Sequence, residues 1–343
     1  MREFNDRFLR ACRREPVDCT PIWLMRQAGR YQPEYRALRA KHTMLELCTT
    51  AELAAEVTRM PLRRFDFDAA ILFSDLTIPF TPMGAPFVLQ ENVGPVISDP
   101  IRSREDVRRL RPIEPEADLA FALEAIRILR AELKAPLIGF AGAPFTLAAY
   151  LIEGRGSKDF ARARALMYSD PETWHALLGL LAENTSRYLR AQIEAGAQAV
   201  QVFDSWVGVL APHVYREYVA PHMRRIFEGL RGLGAPVIHF GTGTAALLEQ
   251  MRDAGGDVIG VDWRVPLAQA WARLGDGVAV QGNLDPAALL GDADTVRREA
   301  QRVLAEAGGR PGHIFNLGHG ILPSTPLDNV ERLVEVVHGG VGA

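Results

Sequence analysis

Two arginines four residues apart, Arg26 and Arg30, follow directly on the apolar run Pro21-Ile22-Trp23-Leu24-Met25. Guanidiniums hold carboxylates or phosphates through paired N–H donors, so this is a place to bind anions. If Arg26 to Tyr31 coils helically, positions i and i+4 share a face and both charges project the same way. Gly29, between them, lets backbone or ligand come close. Two surface arginines paired with Glu34 or other acids would fit the same spacing. Asp75 follows Ile71-Leu72-Phe73 with only Ser74 between, which puts it at the rim of a core. A carboxylate there is costly to desolvate unless donors meet it, so it either caps a loop or accepts several N–H donors of a ligand.

Three more positions carry usable chemistry. Asp204-Ser205 ends another apolar run and offers an acceptor and a hydroxyl, an arrangement equally suited to capping a helix. Tyr150 is placed either to pack on a ligand while donating a hydrogen bond or to sit in an ordinary core. His319 stands between Gly318 and Gly320, a setting for close backbone approach more than for core packing. His239, inside an apolar run, reads as a core histidine.

Absences narrow the reaction. The lysines, Lys41, Lys134 and Lys158, fall at no strand end, which argues against a Schiff-base aldolase. Cys12, Cys19 and Cys48 lack metal-ligand spacing, and no histidine–cysteine or clustered carboxylate set supports a catalytic metal. No dinucleotide fingerprint precedes a helix. The formal charge of -3 argues against a nucleic-acid or general polyanion binder. An odd number of cysteines suits a reduced, cytoplasmic protein. Ala135 to Ile152 carries no charge, but Pro136, Gly139, Gly142 and Pro144 make it a strand and loop rather than a membrane span, and the N-terminus has no apolar signal core.

The elements that must position these groups recur regularly. Short apolar runs appear at Pro21 to Met25, Ala69 to Phe73, Pro136 to Phe140, Ala197 to Phe203, Pro236 to Phe240, Val258 to Val261, Val278 to Gln281 and His313 to Leu317. Each ends in polar or glycine-rich residues, and longer helical patterns separate most of them. Pro171 to Ala195 is one such helix, with Asp170 as N-cap, and Thr49 with Glu52 forms a capping pattern for another that runs to about Arg64. Eight strands alternating with helices predict an α/β fold, a (β/α)8 TIM barrel, because a parallel strand needs a long crossover to return. The active site then belongs at the C-terminal ends of the strands. One domain spans residues 1–343, with a loop or hairpin insertion at about 76–102 marked by Pro79, Pro82, Gly84, Pro86, Gly94 and Pro95.

Four motifs, Pro21 to Tyr31, Phe73-Ser74-Asp75, Gly139 to Thr146 and Asn316 to Pro323, together closely resemble the uroporphyrinogen decarboxylase family over about Asn5 to Val337. The resemblance implies a single-domain barrel, a homodimer, working without metal or organic cofactor. It implies decarboxylation of the four acetate side chains of uroporphyrinogen to methyls, giving coproporphyrinogen in haem biosynthesis. By resemblance Arg26 to Arg30 (Arg26, Gln27, Ala28, Gly29, Arg30) lines the substrate site, Arg39 is a further carboxylate contact, and Asp75 accepts the pyrrole N–H groups, with Tyr150, Ser205 and His319 completing the pocket. Asp75 and Arg26 are the catalytic candidates. Trp206 stands where some relatives carry a histidine, so that position is given no polar role. A corrinoid- or zinc-dependent methyltransferase of the related barrel superfamily and a non-enzymatic tetrapyrrole-binding barrel are the competing readings.

Overall fold

The structure is a computed structural model and describes residues 4–90 and 93–340. Its strands are β1 (Ala70–Ile71), β2 (Phe87–Gln90), β3 (Gly94–Ile97), β4 (Leu137–Gly142), β5 (Ala199–Asp204), β6 (Val237–Gly241), β7 (Val258–Gly260), β8 (Ala279–Gln281) and β9 (His313–Ile314). Seven of them form one parallel sheet in the order β1-β4-β5-β6-β7-β8-β9, while β2 and β3 pair as a separate antiparallel hairpin. Helices between successive strands cover the outside, so the strands read as continuous apolar runs buried on both faces. This is the TIM-like α/β architecture expected from the alternation of runs.

The strand count differs from the sequence expectation in one place. Pro21 to Met25 lies between β9 and β1, where an eighth strand would close the barrel, but it makes only an isolated parallel bridge, Ile22 with Phe315. Phe315 N donates to Pro21 O at 2.8 Å on one side and Asp68 N to Ile22 O at 2.8 Å on the other. Trp23 N donates to Phe315 O at 3.4 Å, and the other three amides of the run are taken by side chains. Ile22 N donates to Asp68 Oδ2 (2.7 Å), Leu24 N to Gln27 Oε1 (3.2 Å) and Met25 N to Asn316 Oδ1 (3.0 Å). Buried amides must find acceptors, and carboxylate and amide oxygens serve as well as a ladder of carbonyls. The run closes the barrel without being a regular strand.

The helices follow their local signals with one shift. Pro171–Glu194 starts at Pro171, with Asp170 accepting from Thr173 N at 3.0 Å. The capping box lies one helix earlier than expected: Thr43 and Glu46 cap Met44–Thr49, and the helix Ala51–Arg64 begins at Thr50 without a side-chain cap. Within residues 76–102 the chain forms the short helix Phe80–Met83 and the β2–β3 hairpin. Ile97 N and Ile101 N tie this segment to Gly154 O and Leu151 O, at the end of the helix Pro144–Glu153.

Candidate active site

The C-terminal ends of the strands surround a cavity of about 390 Å³. Its floor is aromatic: Phe73, Phe140, Phe203 and Phe240 all line it. Phe203 meets Phe140 edge-on at 5.5 Å between centroids and Phe240 at 5.8 Å, and such edge-to-face packing adds to the burial of the rings. All four occupy the same place in the sequence, the last apolar residue of four successive strand runs, and that repetition was the signal that could have found them. Tyr150 and Trp206 extend the apolar wall, their centroids 4.1 Å apart, and the buried Phe160 stacks on Trp206 at 4.8 Å. Trp206 thus serves as an aromatic wall.

Polar groups converge on this surface from separate elements. Arg26 and Arg30 line the cavity, both side chains are exposed, and among the described residues neither guanidinium has a hydrogen-bond or ion-pair partner. Glu34, the acid weighed above as their partner, pairs instead with Arg64. No helix brings the two arginines together. Arg26 sits in a turn closed by Gln27 N on Leu24 O (2.9 Å), with its own φ at 61°. A left-handed conformation is strained for a residue other than glycine and persists where its surroundings enforce it. The enforcing contacts are visible: Gln27 is buried, its amide nitrogen reaches Ala69 O at 3.1 Å, and Tyr31 donates its hydroxyl to Gln27 O at 2.7 Å. Arg30 is carried on the next turn, whose carbonyl accepts from Arg36 Nη1 at 2.8 Å.

Asp75 lies beyond β1, half-buried at the cavity wall. Its Oδ1 accepts from Thr77 N (2.9 Å) and Thr77 Oγ1 (2.5 Å), whereas Oδ2 receives no hydrogen bond from a described residue. One oxygen is anchored and the other is available to donors in the cavity. Tyr150 faces the same charge. Burial first, and then the field of Asp75, push its phenol above its ordinary range, with Arg26 opposing, so it stays a neutral donor. His319 also lines the cavity, edge-on to Trp263 at 6.2 Å. Burial, followed by the nearby Arg26 charge, lowers its pKa and favours a neutral imidazole.

The glycines beside His319 have separate duties. A Cβ on Gly318 would lie 2.3 Å from Trp263 N, so this glycine admits the loop after β7. A Cβ on Gly320 would lie 2.4 Å from Arg26 Cδ, so this one clears the path of the arginine side chain.

Of the residues expected at the site, the cavity gathers Arg26, Ala28, Gly29, Arg30, Asp75, Tyr150, Ser205 and His319. Gln27 and Arg39 lie outside its lining; Gln27 braces the arginine turn from within, and Arg39 donates to His42 O. Thr146, a lining residue that sequence reasoning passed over, is the third residue of the helix Pro144–Glu153 and bonds Asp204 Oδ1 at 2.9 Å. Among the described residues, no group of three or more His, Cys, Asp or Glu could hold a metal ion. A second depression of about 730 Å³, at the other end of the barrel, mixes Arg13, Arg224 and Arg231 with Glu228, Asp253 and Asp257 and holds none of these groups.

Comparison with known proteins places this geometry. The model of the uroporphyrinogen decarboxylase (URO-D) family matches residues 3–340. The chain belongs to the uroporphyrinogen decarboxylase family. It is 60% identical over 336 residues to the uroporphyrinogen decarboxylase of Sorangium cellulosum, covering 97% of this chain and 96% of that one. It is 56% identical over 336 residues to that of Carboxydothermus hydrogenoformans, with the same coverages of 97% and 96%. Against the uroporphyrinogen decarboxylase of Thermus thermophilus it is 56% identical over 333 residues, covering 97% of both chains. Among solved structures, a methyltransferase from Methanosarcina mazei superposes with a TM-score of 0.81 at 21% identity, covering 98% of both chains, a likeness of fold alone. A B12-independent methionine synthase from Shewanella superposes at 0.55 with 14% identity, over 84% of this chain and 88% of that one. No helix among the described residues is long and apolar enough to cross a membrane.

Proposed function

We propose that this chain is a carboxy-lyase that removes the four acetate carboxyls of uroporphyrinogen III, giving coproporphyrinogen III, with Asp75 at the centre of the substrate and Arg26 and Arg30 at its edge. The observation that carries this reading is that Asp75, with Oδ2 unpaired among the described residues, lines the same aromatic cavity as two guanidiniums likewise unpaired among them. A porphyrinogen presents apolar ring faces, inward N–H donors and peripheral carboxylates. Each part meets its complement: the phenylalanine floor, the aspartate and the arginines.

The chemistry follows from that placement. Protonating the pyrrole carbon next to the one that bears the acetate makes the ring a cation. The electron pair of the C–C bond then neutralises it as CO2 leaves, and an exocyclic methylene remains. That carbon takes a proton, the ring carbon gives up the one it gained, and a methyl is left. The balance for each acetate is one proton consumed and one CO2 released. The substrate ring acts as its own electron sink, so the step draws on no cofactor. Asp75 stabilises the ring cation, a fixed charge in a water-poor site. Arg26 and Arg30 hold carboxylates through paired donors, which orients the acetate. The same reading carries a homodimer, on the family likeness, and a cytoplasmic setting, consistent with the free thiols Cys12, Cys19 and Cys48.

The test is anaerobic incubation with uroporphyrinogen III, following CO2 release and acetate-to-methyl conversion. Four CO2 per macrocycle is the expected result. Tight binding without CO2 would leave a tetrapyrrole-binding barrel, and methyl transfer to a thiol would indicate the methyltransferase reading.

A further inference from the structure

One buried acid beside the cavity has no part in the scheme above. Asp204 is the last residue of β5, fully buried, and followed by Ser205 and Trp206, which line the cavity. Its Oδ1 accepts from Thr146 Oγ1 at 2.9 Å, and the Thr146 backbone N–H also acts on the carboxyl. Its Oδ2 is buried without a partner. The Tyr215 hydroxyl is buried and unpartnered as well. Among the described residues no arginine, lysine or histidine bonds Asp204. An ionised carboxylate in apolar surroundings, with only neutral donors and no cation, is too poorly solvated to persist, and such groups keep their proton.

The surroundings agree. The titratable side chains on the elements around β5 are the half-buried Tyr150 on Pro144–Glu153 and the buried Tyr188 on Pro171–Glu194, Tyr215 on Pro212–Tyr218 and His239 on β6. Burial raises all three phenols, and it lowers His239 to about 4, so none of them supplies a countercharge. Burial also pushes Asp204 up to about 7, against the pull of the Thr146 hydroxyl.

Thr146 is the link to the reaction. It is a fully buried residue at the cavity lining, and its hydroxyl bonds the acid at Oδ1 and accepts from Trp206 N at 3.3 Å. We propose that Asp204, kept as a neutral carboxylic acid, is the positioning residue of a two-member proton relay in which Thr146 hands the proton to the substrate. This rests on the decarboxylase reading. In the step, the Asp204 O–H bond breaks as a new O–H bond forms at Thr146 Oγ1. In concert the former Thr146 O–H bond breaks, and its proton bonds to the pyrrole carbon through a ring π pair. The ring becomes a cation and Asp204 a carboxylate, which regains a proton from cavity water through the same hydroxyl. The relay supplies a donor in a site whose arginines are poor acids at neutral pH.

Asp204→Asn keeps the shape and removes the acid. It should lower kcat by about 100-fold at pH 7 with KM nearly unchanged, and its residual rate should lose the decline the wild type shows as pH rises through the acid's range near 7. Thr146→Val should do the same, while Thr146→Ser, which keeps the hydroxyl, should restore most of the rate. A separate readout needs no substrate. The folded protein holds a proton on Asp204 that the unfolded chain has already released above about pH 4, so wild-type stability should fall from there to about pH 7 relative to Asp204→Asn. A wild-type rate and pH profile in Asp204→Asn, or Thr146→Ser as slow as Thr146→Val, would overturn the relay; the threonine pair decides it if the aspartate variant does not fold. A wild type that releases no CO2 would instead refute the decarboxylase reading, and the stability comparison would still report on Asp204.

Discussion

Gly320→Ala tests whether the orientation of Arg26 matters, by adding one methyl group far from any fold-stabilising contact. An ideal Cβ at position 320 would sit 2.4 Å from Arg26 Cδ, 2.8 Å from Cγ and 2.9 Å from Nε. Comfortable carbon contacts lie at about 3.5–4.0 Å, so the side chain must retreat by roughly 1 Å at Cδ and further at its tip. The backbone cannot absorb this. Arg26 is held at φ 61° by the Gln27 N to Leu24 O bond, and Met25 is tied to Asn316 and Ile321 on either side. The guanidinium therefore leaves its place. Losing one charge-assisted contact to a carboxylate costs about 1.5–3 kcal/mol, which is roughly 10- to 150-fold in kcat/KM. Stability should barely move, because the guanidinium is exposed and Gly320 does not use the left-handed region, so ΔΔG of unfolding should stay within about 0.5 kcal/mol. Steady-state kinetics with uroporphyrinogen and thermal unfolding measure the two quantities. In an Arg26→Ala background the added methyl should have no further effect on kcat/KM. Unchanged kcat/KM in the single variant, or full additivity in the double one, would refute the argument.

Two other substitutions separate the centre of the site from its edge. Asp75→Asn keeps the anchoring bonds to Thr77 in reach but cannot compensate a cationic ring, so it should fold normally and lose roughly 100-fold or more in kcat; near-normal turnover would remove Asp75 from the mechanism. Arg30→Ala removes a guanidinium that bonds none of the described residues, so it should raise KM about tenfold or more with little change in stability, and an unchanged KM would exclude it from carboxylate binding.

The barrel and the general location of the site were legible in the chain because both rest on local signals. A strand buried on both faces must be a short apolar run, and the residue after it must leave the core, so chemistry-bearing side chains at run ends announce a common mouth. Asp75, Ser205 and His319 were found that way, and Phe73, Phe140, Phe203 and Phe240 repeat at the same place and could have been. Arg26 and Arg30 were also marked by position, although the helical turn offered to explain their shared direction is not how the chain does it.

Tertiary structure decided what depends on partners distant in sequence. Pro21 to Met25 has the composition of a strand, yet Asp68, Gln27 and Asn316 take three of its amides, and no periodicity encodes an acceptor 46 or 291 residues away. Gln27 reads as part of an arginine motif but is spent inside, on Leu24 N and Ala69 O. Gly320 and Arg26 meet only because the last strand loop folds back over the first turn. Asp204 is the sharpest case. As Asp-Ser at a strand end it could equally have capped a helix, and its burial, with Thr146 58 residues away as its partner, is what favours the neutral acid. Residue types and spacing determine which groups reach the mouth of the barrel; burial and long-range partners determine their charge, their freedom and their aim, because desolvation and hydrogen bonding are properties of the packed surroundings and not of the neighbouring sequence.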